Sequence, residues 1–263
     1  MGRIEGVFTR AKSPVFIGFT VAGDPDKSTC VRIARALIAG GTDILELGVP
    51  FSDPVADGPT IQKADERALL AGTTPSTVFE IVREIRKDSE VPIVFLTYFN
   101  IVYRRGIETF YHDAHDAGVD GILVADMPVE ESEEVCNVAS RYDIAPIFLI
   151  SQTTSDKRIK RIAAKGRGYL YLVAVLGVTG VRDQVSGGAI ELLNRVRRHT
   201  SLPLAIGFGI STPAQAQTCI RAGTDGVIVG SAIVEIIEKT LKDPDVMEHE
   251  LKEYVHAMKK AMM

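Results

Sequence analysis

The chain has 263 residues, 46% hydrophobic and 24% charged, with 30 basic against 34 acidic side chains and a formal charge of −4. No apolar run approaches the ~18 residues that span a bilayer. The opening MGRIEGVFTRAKSP lacks an apolar signal-peptide core, and no basic tract offers a nucleic-acid footprint. The expectation is a soluble, cytoplasmic protein with neither a nucleic-acid nor a membrane partner. Its three isolated cysteines, Cys30, Cys136 and Cys219, suit a reducing compartment and form no disulfide framework.

In chain order, a short helix is predicted ahead of a first apolar strand at 15–22, VFIGFTVA. Further strands are predicted to start near residues 43, 92, 121, 145, 169, 203 and 226. Between them, apolar residues recur at helical spacing, as in Val31, Ala34 and Ile38, or Val78, Ile81, Val82 and Ile85. One phrase repeats: AGGTDILELG (39–48), AGVDGILVAD (117–126) and AGTDGVIVGS (222–231). Its glycine suits a left-handed helix C-cap, and its aliphatic run suits a strand buried on both faces of a parallel sheet. A closing amphipathic helix is expected over 245–263.

Eight strand–helix alternations predict a single (β/α)₈ TIM barrel over residues 1–263, with an extra N-terminal helix. The competing open doubly wound sheet lacks its GxGxxG turn after the first strand. The second and third strand starts, and the sixth and seventh, stand farther apart than the rest. The surplus is assigned to extended βα loops 2 and 6, on the active face of such a barrel.

That face carries glycine clusters after three strands: Gly177-Val178-Thr179-Gly180, Gly207-Phe208-Gly209 and Gly230-Ser231. Ser211-Thr212-Pro213 reads as a helix start. Glycine amides and helix N-termini bind phosphate without a basic residue, so a small phosphorylated substrate is expected; each glycine taken singly also suits a tight turn.

Strand alternation turns Ile44, Glu46 and Gly48 inward and Leu45 and Leu47 toward the helices. A carboxylate there is costly to bury, which makes Glu46 a candidate general acid/base, the alternative being a structural glutamate. Asp57, on loop 2 in VADGPTIQ, is a second candidate, or else a turn or cap aspartate. Phe19, Tyr98 and Phe208 at strand ends, and Tyr169 and Tyr171 on the sixth strand, wall a pocket or belong to the core. No histidine lies at a strand end and no lysine in or just after a strand. Metal and Schiff-base sites are therefore not expected; carboxylate acid–base chemistry is.

ELGVPFSDPVADGPTIQ (46–62), VADMPVEES (124–132), GVTG (177–180), GFGIS (207–211) and GSAIV (230–234) together resemble the tryptophan synthase alpha chain family. The resemblance implies a lyase that cleaves indole-3-glycerol phosphate to indole and glyceraldehyde 3-phosphate by metal-free retro-aldol chemistry. It implies Glu46 as the acid/base at indole C3 and Asp57 as the acceptor of the indole N–H. Phe19, Tyr98 and Tyr171 would line the indole side, and Phe208 would also bind the substrate. Gly180, Gly209, Gly230 and Ser231 would hold the phosphate, with Thr179 on a closing lid. Asp53 and Pro54 match a loop that touches a β chain in an α2β2 heterotetramer, where pyridoxal phosphate sits on the partner and no cofactor on this chain. Two departures stand out: Ala174-Val175-Leu176, where many members carry Ser-Arg, and Gly18, where many carry Pro. The alternatives are a ligand-binding activator of the β chain, and another phosphate barrel such as indole-glycerol-phosphate synthase or a phosphopentose epimerase.

Overall fold

A computed structural model of the chain describes residues 2–10, 14–173, 187–207 and 209–263. Helix α1 (Arg3–Arg10) precedes strand β1 (Val15–Val21), and α2 (Lys27–Gly40) leads to β2 (Ile44–Gly48). Two helices follow, α3 (Pro59–Leu70) and α4 (Pro75–Arg86), then β3 (Ile93–Thr97) and another pair, α5 (Phe99–Arg105) and α6 (Ile107–Ala117). The chain continues through β4 (Gly121–Val124), α7 (Glu133–Arg141), β5 (Ala145–Ser151), α8 (Asp156–Lys165) and β6 (Leu170–Val173). It ends with α9 (Gly187–Arg197), β7 (Leu204–Gly207), α10 (Pro213–Arg221), β8 (Gly226–Val229), α11 (Ser231–Thr240) and α12 (Pro244–Met262).

The eight strands are all parallel and close in sequence order, β1 pairing with β8, which is the predicted (β/α)₈ barrel. Strand alternation divides the apolar residues into two sets. Val15, Ile17, Ile44, Val94, Tyr169 and Ala205 fill the barrel, whereas Leu45, Leu47 and Phe95 pack against the helices. Helix α1 closes the bottom of the barrel: Ile4 is 1% exposed inside it, and the Phe8 ring lies 5.9 Å from that of Tyr169.

The repeated phrase has a structural purpose at that bottom face. Gly41, Gly118 and Gly223 take φ of 109°, 96° and 95° after their helices, a region that favours glycine. The aspartate that follows each reaches across to the preceding strand. Asp43 accepts the Phe16 N–H at 2.7 Å, Asp120 that of Ile93 at 2.8 Å, and Asp225 that of Leu204 at 2.7 Å. Each also pairs with a cation: Lys259 on Asp43, Arg86 on Asp120 and Arg197 on Asp225. Three strand pairs are thus pinned at their N-terminal ends, opposite the face where chemistry is expected.

The long interval after β2 is resolved as a loop over 49–58 followed by an additional helix, α3. The short α5 after β3 was not predicted; its run of seven residues is too brief for a periodic signal. The expected surplus of loop 6 lies outside the described residues. The final helix begins at Pro244, capped by the Asp243 carboxylate on the amides of Asp245 and Val246. Among the described residues, no helix is long and apolar enough to cross a membrane.

Candidate functional site

At the C-terminal ends of the strands lies a cavity of ≈ 420 Å³. Of the residues predicted from sequence, Phe19, Asp57, Tyr171, Gly209, Gly230 and Ser231 line it. These six come from β1, loop 2, β6, the β7–α10 loop and the start of α11, so only closure of the barrel brings them together. Thr179, Gly180 and Phe208 lie outside the described residues.

Glu46 is not among the described residues that line this cavity, but it pairs in register with Phe19, which does, across β1 and β2. It is 0% exposed, and neither carboxyl oxygen has a hydrogen-bond partner among the described residues. Burial, assisted by the charge of Asp57, pushes its pKa up to about 8. Its neighbours inside the barrel are apolar or phenolic. Tyr169 and Tyr171 both face inward, as their spacing predicts, and the Tyr169 hydroxyl makes no hydrogen bond to Glu46 or to any other described residue. A neutral carboxylic acid held in such surroundings is poised to release and regain a proton near neutral pH.

Asp57 differs in having a partner. The Tyr98 hydroxyl donates to its Oδ2 at 2.6 Å, and the Tyr98 oxygen accepts the Ala56 N–H at 3.1 Å. Burial raises the Asp57 pKa, and the Tyr98 hydrogen bond works against that rise by favouring the anion. Tyr98 itself stacks on Phe51, with ring centroids 5.1 Å apart. Its part here is to hold loop 2 rather than to face the cavity among the described lining residues. Asp57 is not a cap: Gly58 is the N-cap residue of α3 and makes no side-chain cap bond.

A third carboxyl, Asp65, belongs to the same neighbourhood and was not singled out from sequence. It lies on the buried face of α3 with Ile61, Ala64 and Ala68, and is 4% exposed. Burial, with the charges of Asp57 and Asp24 nearby, pushes its pKa up to about 8, against a hydrogen bond from the Phe51 amide. An acid inside an apolar i, i+3, i+4, i+7 stripe is the signal that would have found it. Beside it Arg67 grips Asp24 with two hydrogen bonds of 2.7 and 2.8 Å, tying α3 to the turn after β1.

The far end of the cavity is built from backbone. Helix α11 starts at Gly230 with no side-chain cap, leaving its first amides available at the cavity wall. Helix α10 is capped instead: Thr212 and Gln215 form a reciprocal capping box, and Gln215 Oε1 also accepts the Ser211 N–H at 2.8 Å. Tyr254, on α12, donates to the Ser211 carbonyl at 2.9 Å and steadies that loop. Apolar walls come from Ile61, Leu96 and Ile228, the last two legible afterwards from strand alternation.

Asp53 is exposed and Pro54 half-buried on the outer part of loop 2, next to Val55, which is 84% exposed. His112 and His115 fall on α6, and no group of three or more candidate metal ligands gathers among the described residues.

Residues 8–263 match the family model of the tryptophan synthase alpha chain. A tryptophan synthase alpha chain from Methanoregula boonei is 69% identical over 261 residues, covering 99% of this chain and 98% of its own. The tryptophan synthase subunit alpha of Legionella pneumophila superposes with a TM-score of 0.91 at 33% identity, over 100% of this chain and 98% of that one. A chain of the tryptophan synthase α2β2 complex from the hyperthermophile Pyrococcus furiosus superposes at 0.88, with 39% identity over 94% of this chain and 98% of that one.

Proposed function

This chain belongs to the tryptophan synthase alpha chain family, and from that premise we propose that Glu46 and Asp57 carry its reaction by acid–base chemistry. The reaction is the alpha step of tryptophan biosynthesis, in which a lyase cleaves indole-3-glycerol phosphate. Glu46, neutral at the start, gives its proton to indole C3. The ring nitrogen then bears positive charge, and the Asp57 carboxylate accepts its N–H. Glu46, now an anion, takes the proton from the hydroxyl on the adjoining glycerol carbon. The bond between that carbon and C3 breaks, its electron pair returns to the ring, and the products are indole and glyceraldehyde 3-phosphate. Glu46 ends protonated, ready for another turnover.

One observation supports this reading above others: a carboxyl without a hydrogen-bond partner among the described residues, its pKa pushed up to about 8, feels the charge of one that a tyrosine holds toward the anion. Burial raises both acids, and the Tyr98 hydrogen bond offsets that rise at Asp57 alone, which divides the roles of proton donor and fixed charge. Phe19 and Tyr171 offer the indole an apolar wall, with Tyr98 behind Asp57. Gly209, Gly230 and Ser231 hold the phosphate against the start of α11. Each proton transfer is of a kind worth ~10²–10⁴-fold. The chemistry draws on this chain's carboxylates alone.

The partner in this reading is a β chain carrying pyridoxal phosphate, met through Asp53 and Pro54 on the exposed part of loop 2, in an α2β2 assembly. The Pyrococcus furiosus relative, taken from such a complex, supports it. The deciding assay incubates wild-type and Glu46→Gln protein with indole-3-glycerol phosphate, with and without a β chain. The expected result is loss of indole release with substrate binding retained. Turnover by the glutamine variant would overturn the assignment of Glu46.

A further inference from the structure

The cavity carries an electrostatic feature that the reaction does not require. Among its described lining residues the charged side chains are Asp57 and Glu235, both acidic, and no cation joins them. Asp57 has a role at the indole end. Glu235 has none in the chemistry, yet it lies one turn along α11 from Ser231, on the same helix face. We infer that Glu235 is a specificity-determining residue at the phosphate end, whose carboxylate opposes the phosphate and keeps phosphorylated substrate and product loosely held. This rests on the proposed reading that Gly209, Gly230 and Ser231 receive the phosphate.

The physical basis is competition for one positive region. The uncapped start of α11 attracts an anion through its free amides and the helix dipole. A carboxylate fixed just over one turn away on the same face already occupies part of that field and repels a second anion. Among the described residues little neutralises it. Lys239, one turn further along, approaches only to 4.0 Å, and the two side chains are 51% (Glu235) and 74% (Lys239) exposed. On the other side the field of Glu235 reaches Tyr254, whose hydroxyl holds the Ser211 carbonyl at the cavity edge. With the carboxylate half in water the repulsion is moderate and salt-sensitive, roughly three- to tenfold in affinity for a dianion at low ionic strength. A cleavage enzyme gains from this, since glyceraldehyde 3-phosphate must leave after the carbon–carbon bond breaks. Tight binding common to substrate and product would not raise turnover.

The experiment compares wild-type, Glu235→Gln and Glu235→Lys proteins. Steady-state kinetics with indole-3-glycerol phosphate are run with glycerol 3-phosphate as competitor and glycerol as its uncharged control, at low and high salt. The expected result is a fall of about three- to tenfold in both KM and the glycerol 3-phosphate inhibition constant for the glutamine variant. The lysine variant falls further, kcat does not rise, and the gain shrinks at high salt. A glutamine variant within twofold of wild type, while glycerol 3-phosphate still inhibits both, overturns the assignment of Glu235 and leaves the phosphate site standing. If glycerol 3-phosphate inhibits wild type no better than glycerol, the phosphate end itself is misplaced, and the role of Glu235 falls with it.

Discussion

The Tyr98 hydroxyl stands 2.6 Å from Asp57 Oδ2 and donates a hydrogen bond to that carboxylate, while its oxygen accepts one from the Ala56 amide of the same loop. A residue at the end of β3 thereby fixes both the backbone and the charge of loop 2. Tyr98→Phe removes the bond that opposes burial, so the Asp57 pKa rises further and its anion forms at higher pH. A hydrogen bond to a charged group is worth about 1.5–3 kcal/mol. A loss of roughly tenfold or more in kcat/KM is expected, together with an acid limb of the pH–rate profile displaced upward. An unmoved acid limb would count against this role for Tyr98.

Glu46 must begin protonated to act as the acid. With its pKa at about 8, kcat is expected to decline as pH rises past that value. A profile flat to pH 9.5 would show that Glu46 is not the donor.

The same burial has a cost in stability. A carboxyl whose pKa is raised on folding binds more protons folded than unfolded, so stability is lost as pH climbs from its unfolded pKa to about 8. Glu46→Gln removes that loss. It is expected to equal wild type in denaturant stability near pH 4.5 and to exceed it at pH 8 by on the order of 2–4 kcal/mol. Equal stability at both pH values would mean that the buried acid finds compensation elsewhere.

Asp65 follows the same sign, its pKa also pushed up to about 8. Asp65→Asn is expected to gain on the order of 2 kcal/mol at pH 8 and nothing near pH 4. Its kcat should stay within a few-fold of wild type, because Asp65 supports loop 2 without lining the cavity. Thermal melts at the two pH values check the first part and steady-state rates the second.

At the opposite end of the barrel, Asp120 is expected to matter for folding and not for chemistry. Its side chain is 9% exposed and that of Arg86 11%. Asp120→Ala leaves the guanidinium buried without its anion and strips the Ile93 amide of its acceptor, a loss of about 3–5 kcal/mol. The melting temperature should drop by several degrees with KM unchanged; a neutral effect on stability would refute the pinning role of the repeated aspartates.

Much of the barrel was legible because its signals are local. Aliphatic runs, the Ala-Gly-x-Asp phrase and the Thr212-Pro213 helix start each operate within a few residues, and the structure places them where spacing puts them. Glu46 was legible for a related reason, since alternation along one strand is enough to turn it inward. Asp65 and Glu235 were not. Asp65 carries only the faint signal of an acid within an apolar stripe, and its meaning comes from Phe51, Asp57 and Asp24 outside its helix. Glu235 reads as an ordinary helical acid until barrel closure sets it on one wall with Asp57.

The sequence by itself determined which residues alternate inward, where helices begin and which chemistry the scarcity of usable histidine and lysine leaves open. Only the tertiary structure decided that the Tyr98 hydroxyl meets Asp57, that Glu46 lacks a hydrogen-bond partner among the described residues, and that Glu235 lines one cavity with Asp57. The physical reason is range. Periodicity and capping act over one or two turns, whereas desolvation and charge–charge coupling depend on which distant segments barrel closure sets side by side.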